Sequence, residues 1–358
     1  MQKKGIYIKD IRPNNPVRGI FLVKGKTSAL TKNGAFYLAI TLADKTGEIE
    51  ARVWERGEER DGLFKKGDYI SIEAQAESYR DQTQLNITHL TPCSPETVEA
   101  AAFLPSSSRD SEEMWRELKE LAKNVRDPHL MLILNGFFHD KKFRQRFRVA
   151  PAAKRMHHAY LGGLLEHTLS VTTLVTDAVK NYPELDKDLL VTGSILHDIG
   201  KIKEFTYPPE YSFFDYTDEG RLVGHLVIGA QMVQEKIEAI PRFPEDKAML
   251  LKHLILSHHG EYESGSPKRP KTAEAFVLHL LDDLDAKVNA IKSLKKAHLE
   301  PSARWSSFFR PLDRYIYFGE EDLEEAPESL QEEKTAASLR QPAGETYSLL
   351  DRLKTGEK

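Results

Sequence analysis

The stretch "GSILHDIGKIKEF" (193–205) sets His197 and Asp198 side by side in an otherwise apolar run. Neighbouring side chains on a helix diverge by about 100°, so the two cannot pack on one apolar neighbour. A buried aspartate is costly unless it is paired or bound to a metal. The pair makes sense if this edge of the helix borders a polar site. Lys201, one turn past His197, would then meet a phosphate oxygen, or else end the helix in solvent.

The remaining histidines and aspartates of this kind sit in similar surroundings. His167 lies in "GGLLEHTLSV", His225 in "RLVGHLVIG", His258 and His259 in "LILSHHGE", and Asp282, Asp283 and Asp285 in "LHLLDDLDAKV". One histidine on an apolar face is usually a satisfied core residue, but several of them together with aspartates point to a metal centre. Imidazole and carboxylate suit manganese, iron, cobalt or zinc, and a set without thiolates argues against a structural zinc finger. The chain has a single cysteine, Cys93, so an internal disulfide is excluded as well.

Upstream the period changes from helical to two. "FYLAITLADKTGEIEARVW" (36–54) alternates twice around a "KTG" turn, with Leu38, Ile40 and Leu42, then Ile49, Ala51 and Val53, on the inner face. An opening strand near 17–26 and two more at 68–76 and 83–90 make five. The short helical stretch "ERGEERDGLF" separates the third from the fourth. This order predicts an OB-fold, a small Greek-key barrel. Tyr37, Arg52, Trp54 and Tyr69 fall on its outward faces, where aromatics stack on bases and arginine meets phosphate. Trp54 and Tyr69 could instead pack on the next domain.

"PCSPE" (92–96) marks a boundary. From there to about 300 the pattern is helical, beginning with "SSSRDSEEMWRELKELAKNV" and its serine and aspartate N-caps. The expected organisation is multi-domain α and β: a five-stranded OB barrel over 1–95, a helical linker over 96–149, an all-α domain over 150–318 and a disordered acidic tail over 319–358. The net charge is −4, so no global attraction to nucleic acid is expected. Basic clusters at "KKFRQRFR" (141–148) and "PKRPK" (267–271) could still form a local track. Neither a signal peptide nor a membrane span is evident, and the expected compartment is the cytoplasm.

The order H…HD…H…H…D, with "LHDIGK" as its most specific piece, resembles the HD-domain metal-dependent phosphohydrolases, an all-helical fold; the likeness covers about 150–290. It implies that His167, His197, Asp198 and Asp282 are metal ligands. His225 and His258 match the extra positions of members that hold two metals bridged by the HD aspartate, with His259 as the alternative to His258. Asp282 opens a D-x-x-D-A pattern, and Asp285, one turn on, would orient a ligand histidine. No "GYP" follows the histidine doublet, which counts against a cyclic-di-GMP phosphodiesterase. Metals so held would bring a water's pKa near neutral, and the hydroxide would attack phosphorus in line.

Domain order narrows the substrate. An OB module ahead of an HD domain, with "RMHHAYLGGLLEHT", "SHHGE", "LHLLDDLDAKVN" and the aromatic "WSSFFRPLDRYIYF", is similar to the YhaM-type 3′-to-5′ exoribonucleases over about 16–318. That resemblance implies release of nucleoside monophosphates from single-stranded RNA, with single-stranded DNA still open, two divalent ions with manganese first, and a homo-oligomer. Asp198 and Lys201 would then serve catalysis. Arg155, His157 and His158 would supply substrate contacts or support the ligands. Two rival readings stay open: an HD-class nucleotide or cyclic-nucleotide phosphohydrolase with a regulatory OB domain, and a non-catalytic binding adaptor.

Overall fold

A computed structural model describes residues 3–31, 33–79, 82–154, 157–207, 214–297 and 304–319. The chain forms two compact units, 1–290 and 291–358.

The first unit begins with a closed barrel of β1 (Pro16–Leu30), β2 (Phe36–Asp44), β3 (Gly47–Val53), β4 (Tyr69–Tyr79) and β5 (Gln82–Cys93), in the order β1-β2-β3-β5-β4. β3 and β5 run parallel, and the other pairs are antiparallel. This is OB topology, with the short helix α1 (Gly57–Asp61) between β3 and β4. The register Leu38↔Val53, Ile40↔Ala51, Leu42↔Ile49 puts the inner-face residues of both strands in one core. β1 serves two neighbours: residues 16–22 pair with β4 and 22–30 with β2, across an irregularity between Val23 and Gly25. A bulge of this kind bends a strand enough to close a small barrel.

The helices follow: α2 (Ser111–Ala122), α3 (Pro128–Phe138), α4 (Lys141–Phe147), α5 (Gly163–Asn181), α6 (Lys187–Leu196), α7 (Lys201–Glu204), α8 (Asp218–Leu222), α9 (His225–Glu238), α10 (Glu245–Ser257) and α11 (Ala273–Ala297). Asp110, Asp127, Asp140 and Asp186 cap α2, α3, α4 and α6, each accepting from a backbone N–H of the first turn. No helix among the described residues is long and apolar enough to cross a membrane.

Two expectations change here. Residues 111–147 are not a linker: Met114, Trp115, Leu118, Leu130, Phe137 and Phe147 share one apolar core with Leu164, Leu196, Val233, Leu254 and Leu278. A three-helix segment with that much apolar surface cannot stay solvated. The helical region is also not purely α. A two-residue ladder, β6 (Phe205–Thr206) with β7 (Asp215–Tyr216), follows α7, and the Thr206 hydroxyl bonds to both the N–H and the C=O of Asp215.

Outside the barrel, Ile20, Leu22 and Tyr69 pack against Val98, Phe103, Leu104 and Leu161. The second unit, where described, is a short aromatic turn with bridges Trp305↔Tyr317 and Phe309↔Arg314. The acidic tail from 320 onward lies outside the described residues.

Candidate metal centre

Five helices bring the histidines and aspartates together. His167 comes from α5, His197 and Asp198 follow the end of α6, and His225 opens α9. His258 and His259 follow α10, and Asp282 and Asp285 lie on α11. Gly200 lets the α6 end meet α9, because a Cβ there would stand 2.1 Å from the His225 carbonyl oxygen. Gly260 does the same after the doublet. Its φ is +80°, and a Cβ would stand 2.2 Å from the His279 ring, whose Nδ1 bonds the His258 carbonyl at 2.8 Å.

Asp198 is the centre of the arrangement. Its Oδ2 lies 3.4 Å from Nε2 of both His167 and His197, and its Oδ1 lies 3.5 Å from Nε2 of both His225 and His258. Asp282 Oδ1 joins the first pair, 3.0 Å from His167 Nε2 and 3.7 Å from His197 Nε2. His259 Nε2 joins the second, 3.2 Å from His225 Nε2. Both histidines of the doublet therefore face the His225 side of the cluster. His258 caps α10, and the turn at Gly260 carries its neighbour back to the same point.

Each imidazole is held from behind. Nδ1 of His167 faces Asp285 Oδ2 (2.7 Å), His197 the Ser194 carbonyl (2.7 Å), and His225 Glu204 Oε1 (2.9 Å). His258 faces the Ile255 carbonyl (2.8 Å) and His259 the Ser264 carbonyl (3.1 Å). Such oxygens only accept, so each Nδ1 carries the proton and each Nε2 presents its lone pair inward. Lone pairs then meet at 3.2 Å between His167 and His197 and between His225 and His259. Asp198 Oδ1 and His258 Nε2 are buried without a hydrogen-bond partner. Orphaned acceptors converging in this way fit cations. The N/O donor set, without thiolate, suits the borderline divalent metals, and the groups His167–His197–Asp282 and His225–His258–His259 each lie within 4.8 Å.

Without a bound ion, the charge of the cluster is carried by its two aspartates and the histidines beside them. Burial works against the Asp198 charge, but Lys201 and His197 beside it hold the carboxyl well below the usual range. Burial opposes Asp282 too, and His167 and His197 beside it keep it well below. Burial alone would lower His197, yet Asp198 raises it to about 9. Burial lowers His259 to about 3, helped by His258 and His225. Neutral imidazole is the form that binds metal, so an ion at His197 would displace a proton there while His259 is already neutral.

Lys201 is not a solvated helix end. It is buried, and its Nζ donates to Asp198 Oδ2 at 2.6 Å. His157 sits with its ring 5.8 Å from that of His167, and burial takes it down to about 3. His158 and Asp285 support the ligands. Asp285 Oδ2 also accepts from His158 Nε2 at 2.9 Å, while the Tyr160 hydroxyl donates to His158 Nδ1 at 2.8 Å. Arg155 lies outside the described residues.

Sequence reasoning missed Glu204, which accepts from both the N–H and the ring of His225, and also His279 and Ser170, whose hydroxyl donates to Asp285. A carboxylate in the same apolar stretch as the HD pair was the available signal for Glu204.

On the barrel, Tyr37 and Trp54 stack with ring centroids 4.7 Å apart, and Trp54 is 46% exposed. Arg52 is ion-paired to Glu50 at 3.0 Å. Tyr69 is a correction. It is 2% exposed and packs on Phe103 at 4.7 Å, because the 98–104 segment covers that outer face. It is not open to a ligand.

The fold and this centre define an HD-domain protein with an N-terminal OB barrel. The family described as "HD domain" matches residues 164–287. The 3′-5′ exoribonuclease YhaM of Shouchella clausii (strain KSM-K16) is 35% identical over 283 residues, spanning 79% of this chain and 87% of that protein. Its namesake in Bacillus subtilis (strain 168) is 34% identical over 287 residues, 80% and 89% of the two chains. The chain belongs to the YhaM family. The second OB-fold domain of replication protein A from Methanococcus maripaludis covers 24% of this chain and 92% of its own, at 20% identity and a TM-score of 0.21. The barrel's assignment rests on its own strand order.

Proposed function

We propose that this chain is a metal-dependent 3′-to-5′ exoribonuclease that releases nucleoside monophosphates. The observation that carries the reading is Asp198, with one oxygen toward each of two histidine pairs whose Nε2 lone pairs converge on it. The relatives over four-fifths of the chain support the substrate class.

His167, His197, Asp198 and Asp282 would hold one divalent ion, and Asp198, His225, His258 and His259 a second. When bound, such ions make a water nucleophilic near neutral pH and offset charge on the leaving oxygen. Manganese ahead of iron, cobalt or zinc is our assignment. The chain's own residues set the geometry. Asp285 and Glu204 fix two ligand rings, Lys201 balances Asp198, and His157 borders the centre, where it can contact the scissile phosphate. The exposed face of Trp54, backed by Tyr37, offers a stacking surface for unpaired bases.

We place the protein in the cytoplasm as a homo-oligomer. An exposed apolar stripe on α11, Phe276, Leu280, Leu284 and Val288 at four-residue spacing, supports self-association.

The test is product analysis on 5′- and 3′-labelled RNA and DNA oligomers with a panel of divalent metals. With manganese, the 3′ label should appear as mononucleotide from the first time point while the 5′-labelled strand shortens stepwise. Intact oligomers alongside hydrolysed mononucleotides would transfer the reading to a small-molecule phosphohydrolase.

A further inference from the structure

The chain enters α5 through a left-handed turn at His158. Among the described residues, five that are not glycine have a left-handed backbone, and His158, at a φ of +48°, is the one of these that is buried. A histidine is held in that conformation against its own preference, so its surroundings must fix it. Its carbonyl accepts from the N–H groups of Ala152 (3.1 Å) and Tyr160 (2.9 Å). Its own N–H reaches across to α11 and donates to Asn289 Oδ1 at 2.8 Å. Asn289 Nδ2 makes only long approaches, 3.4 Å to His158 Nδ1 and 3.5 Å to the Tyr160 oxygen. The acceptor end of the amide therefore does the holding.

From this turn a chain of hydrogen bonds runs to the metal centre. His158 Nε2 donates to Asp285 Oδ2 at 2.9 Å, and the same oxygen accepts from His167 Nδ1 at 2.7 Å. Asp282, Asp285 and Asn289 follow one another at spacings of three and four on α11, so they share a face. That face carries a proposed ligand, the carboxylate that orients a second ligand, and the amide that fixes the carboxylate's other partner. If His158 swings away, Asp285 Oδ2 is free to turn and His167 loses its fixed bracket.

We propose that Asn289 is a positioning residue for the ion on the His167 side, acting through the backbone of His158 and then through Asp285. The inference rests on the two-metal reading and not on which phosphoester the centre cleaves. It is specific to one ion, because the His225 side is braced separately by Glu204.

The test is manganese titration of the full chain by electron paramagnetic resonance, for the wild type, Asn289→Leu, Asn289→Asp, Glu204→Ala and the Asn289→Leu/Glu204→Ala pair. Leucine keeps the bulk of asparagine and removes the acceptor; aspartate keeps the acceptor. We expect Asn289→Leu to weaken one of two ions about tenfold, the low end of what losing an orienting group costs. Asn289→Asp should bind that ion no more than about threefold more weakly than the wild type. The pair should show both ions weakened, because the two substitutions act on different sides. Two wild-type affinities in Asn289→Leu, equal loosening of both ions there, or the same loss in Asn289→Asp would each overturn the inference while leaving the metal reading intact. A wild type that binds no manganese would overturn both. Should Asn289→Leu melt early, His158→Ala cuts the next link and should weaken the same ion by about 10–100-fold; an unchanged affinity there would also overturn the inference.

Discussion

Asp198 Oδ1 and His258 Nε2 face each other at 3.5 Å, both buried and neither with a hydrogen-bond partner. Two acceptors would not be packed together in a dry interior unless something positive comes between them, since each unsatisfied buried group costs about 1–3 kcal/mol. Replacing Asp198 with alanine removes the one residue, among those described, directed at both histidine pairs. We expect metal content, read by elemental analysis, to fall and RNA hydrolysis to disappear, while oligomer binding persists. Full activity in Asp198→Ala would remove the metal mechanism.

Glu204 accepts from the backbone N–H and the ring of His225, and in the proposed two-metal reading it positions that ligand. Glu204→Ala should lower the affinity for one ion by roughly 10–100-fold, the usual cost of losing a group that orients a ligand. Manganese titration should then show one tight and one weak site. Two unchanged sites would make Glu204 a helix-packing residue only.

Trp54 and Tyr69 are expected to separate binding from folding. Trp54→Ala should weaken single-strand binding by roughly 1–3 kcal/mol with little change in melting. Tyr69→Ala should do the reverse, costing about 3–5 kcal/mol of stability as a buried ring is lost, with no change in the affinity of the folded fraction. Equal binding losses in both variants would contradict the burial of Tyr69.

Asp127 caps α3, accepting from the N–H groups of His129 and Leu130 and pairing with Lys247. Burial raises its pKa somewhat, but Lys247 and the two N–H groups lower it overall. A carboxyl whose folded pKa lies below its unfolded value stabilises the fold above the unfolded pKa, and that contribution is lost as pH falls through the folded one. Asp127→Ala should therefore cost about 0.5–2 kcal/mol at neutral pH. In denaturant titrations the gap to wild type should close below about pH 4, near the ordinary carboxyl value. A gap independent of pH would rule out the charge as its source.

Much of this architecture is legible in the sequence because its signals are local. The alternation in 36–54 and the helical spacing after 110 each report burial within a few residues. Long-range covering is not legible in that way. Tyr69 reads as outward because it does lie outside the barrel, and only the 98–104 segment, which has no periodicity, buries it. The doublet His258–His259 looked like a choice because a helix separates neighbours by about 100°; the helix ends there, and the turn at Gly260 removes the constraint. Residues 111–147 passed for a linker because amphipathic helices do not say which core they join.

The five imidazoles anchored through Nδ1 have one more consequence. Their rings cannot rotate away when ions leave, so the emptied centre keeps its lone pairs facing inward, and protons are the cations most readily at hand. In the proposed metal-bound protein, unloading would leave the His167–His197 side basic, with His197 raised to about 9 by Asp198, while burial keeps His259 near 3. Metal and acid compete for the same nitrogens, and an ion lost from the His167–His197 side should be matched by protons drawn from solvent.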